Sequence, residues 1–167
     1  MIISFSEYTF DIDVERTRAF YNRADVLPMG EDCGCIGCRN FDKAIMTVPR
    51  AVLDFLYSLG IEPRKPAEIY NVTGMLEDDG KIWYNGWYHI CGNIVKSPET
   101  VKYGVNEKGN PTVEYGWDKG YRPAPGFPFA ILPVKDNAFQ RDGFPQPIIQ
   151  LEIDTHLPYL LSEPFKA

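Results

Sequence analysis

The spacing of the apolar residues changes near residue 67, and this change limits the possible folds more than any other feature of the sequence. Before it, apolar side chains recur at the interval of one helix face: Val52, Phe55, Leu56 and Leu59. After it, the chain is rich in Tyr, Trp, Pro and Gly, and an interval of two replaces the helical one. A helix-rich start followed by a strand-rich remainder predicts an α+β fold with its helices packed on an antiparallel sheet.

The predicted helices cover residues 13–24 and 39–59, with Pro49 at a first helical position and Gly60 as a terminator. They form two or three N-terminal helices on a mostly antiparallel, aromatic-rich sheet built from about residue 67 onward. The predicted strands cover residues 2–10, 81–95, 101–105, 112–117, 129–135 and 147–156. The stretch 81–95 is either one strand or two strands bent at Gly86.

Size and charge restrict the function classes. A length of 167 residues predicts a single domain over residues 1–167. Hydrophobic residues make up 44% and charged residues 24%, which excludes a disordered chain. The net charge of -6 argues against nucleic-acid and anionic-membrane partners, because both are bound through clustered cations. No basic leader and no long apolar run is present, so we expect a cytoplasmic protein with reduced thiols.

A cysteine cluster is the sharpest chemical signal. Cys33, Cys35 and Cys38 form a C-x-C-x-x-C loop whose intervening residues include two glycines. Glycine allows positive φ angles, which help successive thiols point to one centre. Zinc prefers four tetrahedral ligands, mostly Cys and His, so this loop predicts a zinc site with three of its ligands supplied.

The fourth ligand is sought in the stretch 81–95. Alternation there places Trp83, Trp87, His89 and Cys91 on one face, opposite Ile82, Tyr84, Tyr88, Ile90 and Ile94. Either His89 or Cys91 could complete the site from the sheet. The alternatives are that Cys91 is a small buried apolar side chain and that His89 is packed among aromatic residues.

Thiol chemistry is the competing hypothesis. Cys35 and Cys38 lie just before a predicted helix, and the helix dipole together with Arg39 would lower a thiol pKa. A thiol-dependent enzyme would use one of these cysteines, with His89 as its base. In a third interpretation, all the cysteines are inert and the fold is a scaffold for protein contacts.

Two further groups could carry function. Glu152 and Asp154 share a strand face and form either an acidic pair or an ordinary exposed surface. Trp83, Trp87 and Trp117 could stack on a carbohydrate or a peptide, or they could fill the core between sheet and helices.

Four features carry a resemblance to a known family: the C-x-C-x-x-C-R-N-F loop, a second helix ending L-G-I-E-P, an aromatic sheet and a final L-P-Y-L-L-S-E-P segment. Together they resemble an uncharacterised family of small bacterial proteins with no known activity. The likeness covers most of the chain and is most specific over residues 33–41 and 157–165. It implies a bacterial, cytoplasmic, single-domain protein and assigns no catalytic residue.

From the residues themselves we expect a small non-enzymatic interaction or binding module with a structural zinc site. Its ligands would be Cys33, Cys35, Cys38 and either Cys91 or His89, and its partner would be a protein or a small ligand. A thiol-dependent enzyme using the Cys33–Cys38 loop is the alternative.

Overall fold

The computed structural model describes residues 1–134 and 142–165. The helices are α1 (Val14–Tyr21), α2 (Met29–Asp32), α3 (Ile36–Ala44) and α4 (Arg50–Ser58). The strands are β1 (Ile2–Phe5), β2 (Tyr8–Ile12), β3 (Glu68–Asn71), β4 (Lys81–Lys96), β5 (Val101–Val105), β6 (Pro111–Tyr115), β7 (Phe129–Val134) and β8 (Ile148–Pro158). Helices packed with antiparallel strands confirm the predicted α+β fold.

The main sheet has the strand order β1-β2-β4-β8-β7, and each neighbouring pair is antiparallel. The short strand β3 pairs with the first half of β4, and β2 pairs with its second half. Strands β5 and β6 form a separate two-stranded hairpin. The long strand β4 therefore connects both halves of the sheet.

One face of β4 packs against the helices. The side chains on this face are at most 1% exposed and belong to the main core: Ile82, Tyr84, Tyr88 and Ile90. On the opposite face, Trp83, Asn85 and Trp87 are half-buried. The predicted alternation in burial is thus confirmed from Lys81 to Tyr88, whereas residues 88–92 are all buried, within one continuous strand that reaches Lys96.

Gly86 permits the pairing of β3 with β4 and does not divide β4 into two strands. A Cβ atom added at Gly86 would lie 2.2 Å from the carbonyl oxygen of Glu68 and 2.9 Å from the Cα atom of Ile69. Any side chain here would push β3 away from the sheet. The glycine therefore fixes the position of β3, which borders the candidate site described below.

Some boundaries differ from those predicted. The predicted helix 39–59 is divided, because a 3₁₀ turn over Ile45–Thr47 ends α3 and Pro49 then caps α4. The predicted strand 2–10 forms β1 and β2, which are joined by a tight turn in which Ser6 has a φ of 50°. The last residue of the predicted strand 129–135 lies outside the described residues. None of the described helices is long and apolar enough to cross a membrane.

Candidate metal centre

The three clustered cysteines lie where one helix ends and the next begins. Cys33 is the C-cap of α2, and Cys35 is the N-cap of α3. Between them, Gly34 has a φ of 72°, a left-handed conformation that favours glycine. Cys38 lies in the first turn of α3, so a reversal of the chain brings all three thiols together.

The sulfur atoms of Cys33, Cys35 and Cys38 all lie within 4.8 Å of one another. In a tetrahedral zinc site with Zn–S bonds of about 2.3 Å, sulfur atoms are about 3.8 Å apart. The sulfur atoms are therefore at most about 1 Å further apart than such a site requires. Cys33 and Cys35 are exposed, whereas Cys38 is buried. The predicted approach of the three thiols is confirmed, and the cluster is positioned to bind a metal ion.

Protonation within the cluster is uneven. Partial burial acts to raise the pKa of Cys35, but hydrogen bonds from the Cys38 backbone amide and from the Cys38 and Cys33 thiols outweigh it, and that pKa is lowered. The pKa of Cys38 is raised, first by burial and then by its contacts with the Cys35 and Cys33 sulfur atoms. Negative charge therefore forms at Cys35 before it forms at Cys38, and a bound metal would replace the remaining thiol protons.

The loop is attached to the sheet through Tyr84. The Tyr84 hydroxyl donates a hydrogen bond to the carbonyl oxygen of Gly37 at 2.8 Å. The ring of Tyr84 also meets Phe41 of α3 edge to face, with 5.3 Å between centroids. The start of β4 therefore holds both the cysteine loop and the helix that follows it.

Asn40 provides a second attachment, and its side chain is completely buried. Its Nδ2 atom donates to the Tyr84 hydroxyl at 3.2 Å and to the Pro158 carbonyl oxygen at 3.1 Å. Its Oδ1 atom accepts a hydrogen bond from the Leu160 backbone amide at 2.7 Å. One amide side chain thus joins the cysteine helix to β4 and to the end of β8.

A cleft of about 770 Å³ opens beside the cysteine cluster. All three cysteines line it, and β3 and the segment after β8 form its other walls, with Ile69 and Phe165 among the apolar side chains. At its rim, Arg39 Nη1 pairs with Glu163 Oε1 at 2.7 Å. A metal ion held by the three sulfur atoms would therefore present its fourth coordination position to this cleft.

The structure does not bring His89 or Cys91 to the cluster. The loop contacts β4 at Tyr84, and a strand rise of about 3.3 Å per residue places Cys91 about 23 Å further along. His89 and Cys91 also lie on the face opposite Tyr84, as the alternation predicts. The sequence pattern could not show on which face, or at which end of β4, the loop would lie.

Both residues have other surroundings. The Nε2 atom of His89 lies 3.3 Å from Gln150 Oε1, and its ring packs against Phe144. The Cys91 thiol donates to the carbonyl oxygen of Gln146 at 3.7 Å, and burial raises its pKa. The described residues therefore place three cysteines, and neither of these two side chains, around the candidate metal position.

The other face of the sheet carries polar residues that the sequence analysis only partly identified. Glu152 and Asp154 do share a strand face, as predicted. His156 had no predicted role, but its ring stacks on Trp83 and its Nδ1 atom lies 2.7 Å from Glu77 Oε2. A signal was available, because Trp83 and His156 both fall on alternating positions of predicted strands.

Comparisons with known proteins gave no match to this chain among protein-family models, curated proteins or solved structures. The resemblance to a family of small bacterial proteins therefore stays an expectation.

Proposed function

We propose that the protein is a small binding module in which Cys33, Cys35 and Cys38 hold a structural zinc ion. The observation that supports this proposal is the approach of three sulfur atoms to within 4.8 Å of one another. Thiolate-rich tetrahedral sites select zinc among the common divalent ions, because hard cations such as magnesium prefer oxygen ligands. The module would act in the cytoplasm, where thiols stay reduced.

The metal would stabilise the connection between α2 and α3. That connection has no packed core of its own, since Cys33 and Cys35 are exposed and Gly34 contributes no side chain. Zinc would replace missing apolar contacts with metal–sulfur bonds. Its fourth ligand would be a water molecule or a group from a partner protein or small ligand that enters the cleft.

The test is the zinc content per chain, measured by elemental analysis on reduced protein purified without a metal-binding tag. We expect about one zinc per chain in the wild type and almost none when Cys33, Cys35 and Cys38 are all replaced by serine. Cys91→Ser is the matched control and should keep its zinc. The proposal is wrong if zinc-supplemented wild type holds no metal and its melting temperature does not change with a chelator.

Thiol-dependent catalysis is a second candidate, favoured by one observation at Cys35. This residue caps α3 and is exposed, and its sulfur accepts a hydrogen bond from the Cys38 backbone amide at 3.4 Å. Such a thiol is more nucleophilic than one buried in an apolar core. Rapid alkylation of Cys35 in metal-free native protein, with slow labelling of Cys91, would support catalysis. Equally slow labelling of both would exclude it.

A further inference from the structure

The sheet face opposite the helices carries acidic and aromatic side chains in neighbouring positions. Trp87 lies opposite Glu152 and Asn85 lies opposite Asp154 in the pairing of β4 with β8. Tyr70 of β3 continues the second row, since it lies opposite Asn85. Directly opposed residues have Cβ atoms about 5 Å apart, so these side chains form one continuous patch.

Glu152 is the unusual member of this patch. It is only 7% exposed, and its Oε1 atom accepts a hydrogen bond from Gln150 Nε2. None of the lysines and arginines in the described parts of the chain forms an ion pair with it. Burial raises the pKa of Glu152 to about 7, partly offset by the hydrogen bond from Gln150. Buried carboxylates normally have a cationic partner, and this one has none among the described residues.

Asp154 is held in a fixed orientation beside Glu152. Its Oδ2 atom accepts hydrogen bonds from Trp83 Nε1 at 2.8 Å and from Asn85 Nδ2 at 2.6 Å. Both donors are neutral, so they orient the carboxylate without cancelling its charge. Two carboxyl groups therefore lie side by side on β8, and neither forms an ion pair within the described ranges.

Two tyrosines border the carboxylates. Tyr70 and Tyr115 are 48% and 40% exposed, and each lies close enough to Glu152 for its charge to act on the phenol. Burial, followed by the charge of Glu152, raises the pKa of both tyrosines. Tyr115 belongs to the β5–β6 hairpin, so this hairpin closes one side of the patch. Aromatic faces carry negative electrostatic potential, which adds to that of the carboxylates.

We propose that this acidic face, formed by Glu152, Asp154, Asn85, Trp87, Tyr70 and Tyr115, binds an organic cation through its ammonium or guanidinium group. The carboxylates would accept hydrogen bonds from the cation, and the aromatic rings would contact its charged head and its alkyl stem. No cysteine belongs to this surface. The cation could be a free amine or a lysine side chain of a peptide, since both present the same chemistry.

The test is an NMR titration of the full chain at about pH 8, where Glu152 is mostly ionised. Butylammonium and butylguanidinium should shift the amide signals of β4 and β8 on this face. Butanol and butyrate have the same alkyl chain without the positive charge, and we expect them to bind at least about tenfold more weakly. Equal binding of all four compounds, or no binding of the two cations, would overturn the proposal.

Variants locate the binding site. Glu152→Gln and Asp154→Asn should each weaken butylammonium binding by at least about tenfold, because each removes one negative charge and keeps the shape. Glu7→Gln is the matched control, since Glu7 is exposed in the β1–β2 turn, and it should bind as the wild type does. Unchanged affinity in both site variants would contradict the assignment.

Two further titrations separate the possible sources and the two proposals. Tighter binding of a blocked Gly-Lys-Gly peptide than of butylammonium would indicate a peptide side chain, and the reverse order would indicate a free amine. The variant with serine at positions 33, 35 and 38 should still bind butylammonium. Loss of zinc binding would therefore leave this inference intact, and loss of cation binding would leave the zinc proposal intact.

Discussion

The cysteine cluster and the acidic face are assembled in opposite ways. The cluster takes its three sulfur atoms from six consecutive residues, brought together by the end of one short helix and the start of another. The acidic face takes its side chains from β3, β4, β6 and β8, which lie far apart in the chain. A local motif can place ligand atoms by itself, whereas the second arrangement exists only when the register of a whole sheet is correct.

The two regions also differ in how burial affects their chemistry. Two of the three clustered thiols are exposed, so a metal ion can reach them directly. At the acidic face, Glu152 is buried, and no cationic side chain in the part of the chain that the structure describes pairs with it. This burial destabilises the folded protein when the carboxyl group is ionised. The cysteine cluster therefore depends on residues close to it in the sequence. At the acidic face, the packing of the sheet holds Glu152 in place despite the electrostatic cost of burying its charge.

The largest effect should come from breaking the support of the cysteine helix. Phe41 is completely buried, and we expect Phe41→Ala to lower the free energy of unfolding by about 3–5 kcal/mol, because it leaves a cavity against Tyr84. Urea denaturation measures this loss. Phe55→Ala, at a partly buried position of α4, is the control and should be milder. A loss below about 1 kcal/mol for Phe41→Ala would show that the helix does not need this anchor.

An intermediate effect should come from Glu152→Gln, which tests the cost of the buried carboxyl group. The pKa of Glu152 is raised from 4.5 to about 7 on folding, so between these values the folded state holds more protons than the unfolded state. The stability of the wild type should therefore fall as pH rises through this window. Above it, Glu152→Gln should be more stable than the wild type by at most about 3 kcal/mol.

This prediction is checked by urea unfolding of both proteins at about pH 5 and about pH 8. The groups facing Glu152 are Tyr70 and Glu68 from β3, Tyr115 from β6 and Asp154 from β8. Burial also raises the pKa of Asp42 to about 6, so Asp42 adds a decline in stability with rising pH in both proteins. The difference between the two proteins therefore isolates Glu152, and a variant less stable at the higher pH would contradict the argument.

The smallest effect is expected at the rim of the cysteine cleft. Arg39 and Glu163 form an ion pair whose side chains are 44% and 46% exposed, so solvent screens it and Arg39→Ala should reduce stability only slightly. Zinc content should not change, because the pair does not contribute a ligand. Arg50→Ala removes a more exposed pair with Asp54, away from the cysteine cleft, and provides the control. A larger loss at Arg39 than at Arg50, together with loss of zinc, would show that the rim helps to form the site.

Features that depend only on residues close together in the sequence could be predicted. The apolar interval over residues 49–59 predicted α4, and Gly60 does follow its end with a φ of 83°. The approach of Cys33, Cys35 and Cys38 was likewise predictable, because five peptide bonds and two glycines restrict where the thiols can go. The β1–β2 turn was missed because its left-handed residue is Ser6, where a glycine would have given the signal.

Features that depend on register could not be predicted. The alternation in β4 placed His89 and Cys91 on one face correctly, but it could not locate the cysteine loop beside Tyr84 on the other face. Strand β3 has four residues, too few for a recognisable pattern, so Tyr70 received no role. Tyr115 reaches Glu152 only through the fold of the β5–β6 hairpin. Each case needs a contact between distant segments, which no local spacing contains.

The attachment of Asn40 has a consequence for the order of events during protein synthesis. Its partners Pro158 and Leu160 follow it by 118 and 120 residues. At a translation rate of about 5–20 residues per second, the ribosome adds them roughly 6–24 s after Asn40. During that interval the nascent thiols and Tyr84 are present, but the attachment of Asn40 to the end of β8 does not yet exist. A metal ion bound by these thiols, as proposed above, could therefore reach them before Asn40 joins the loop to the end of β8.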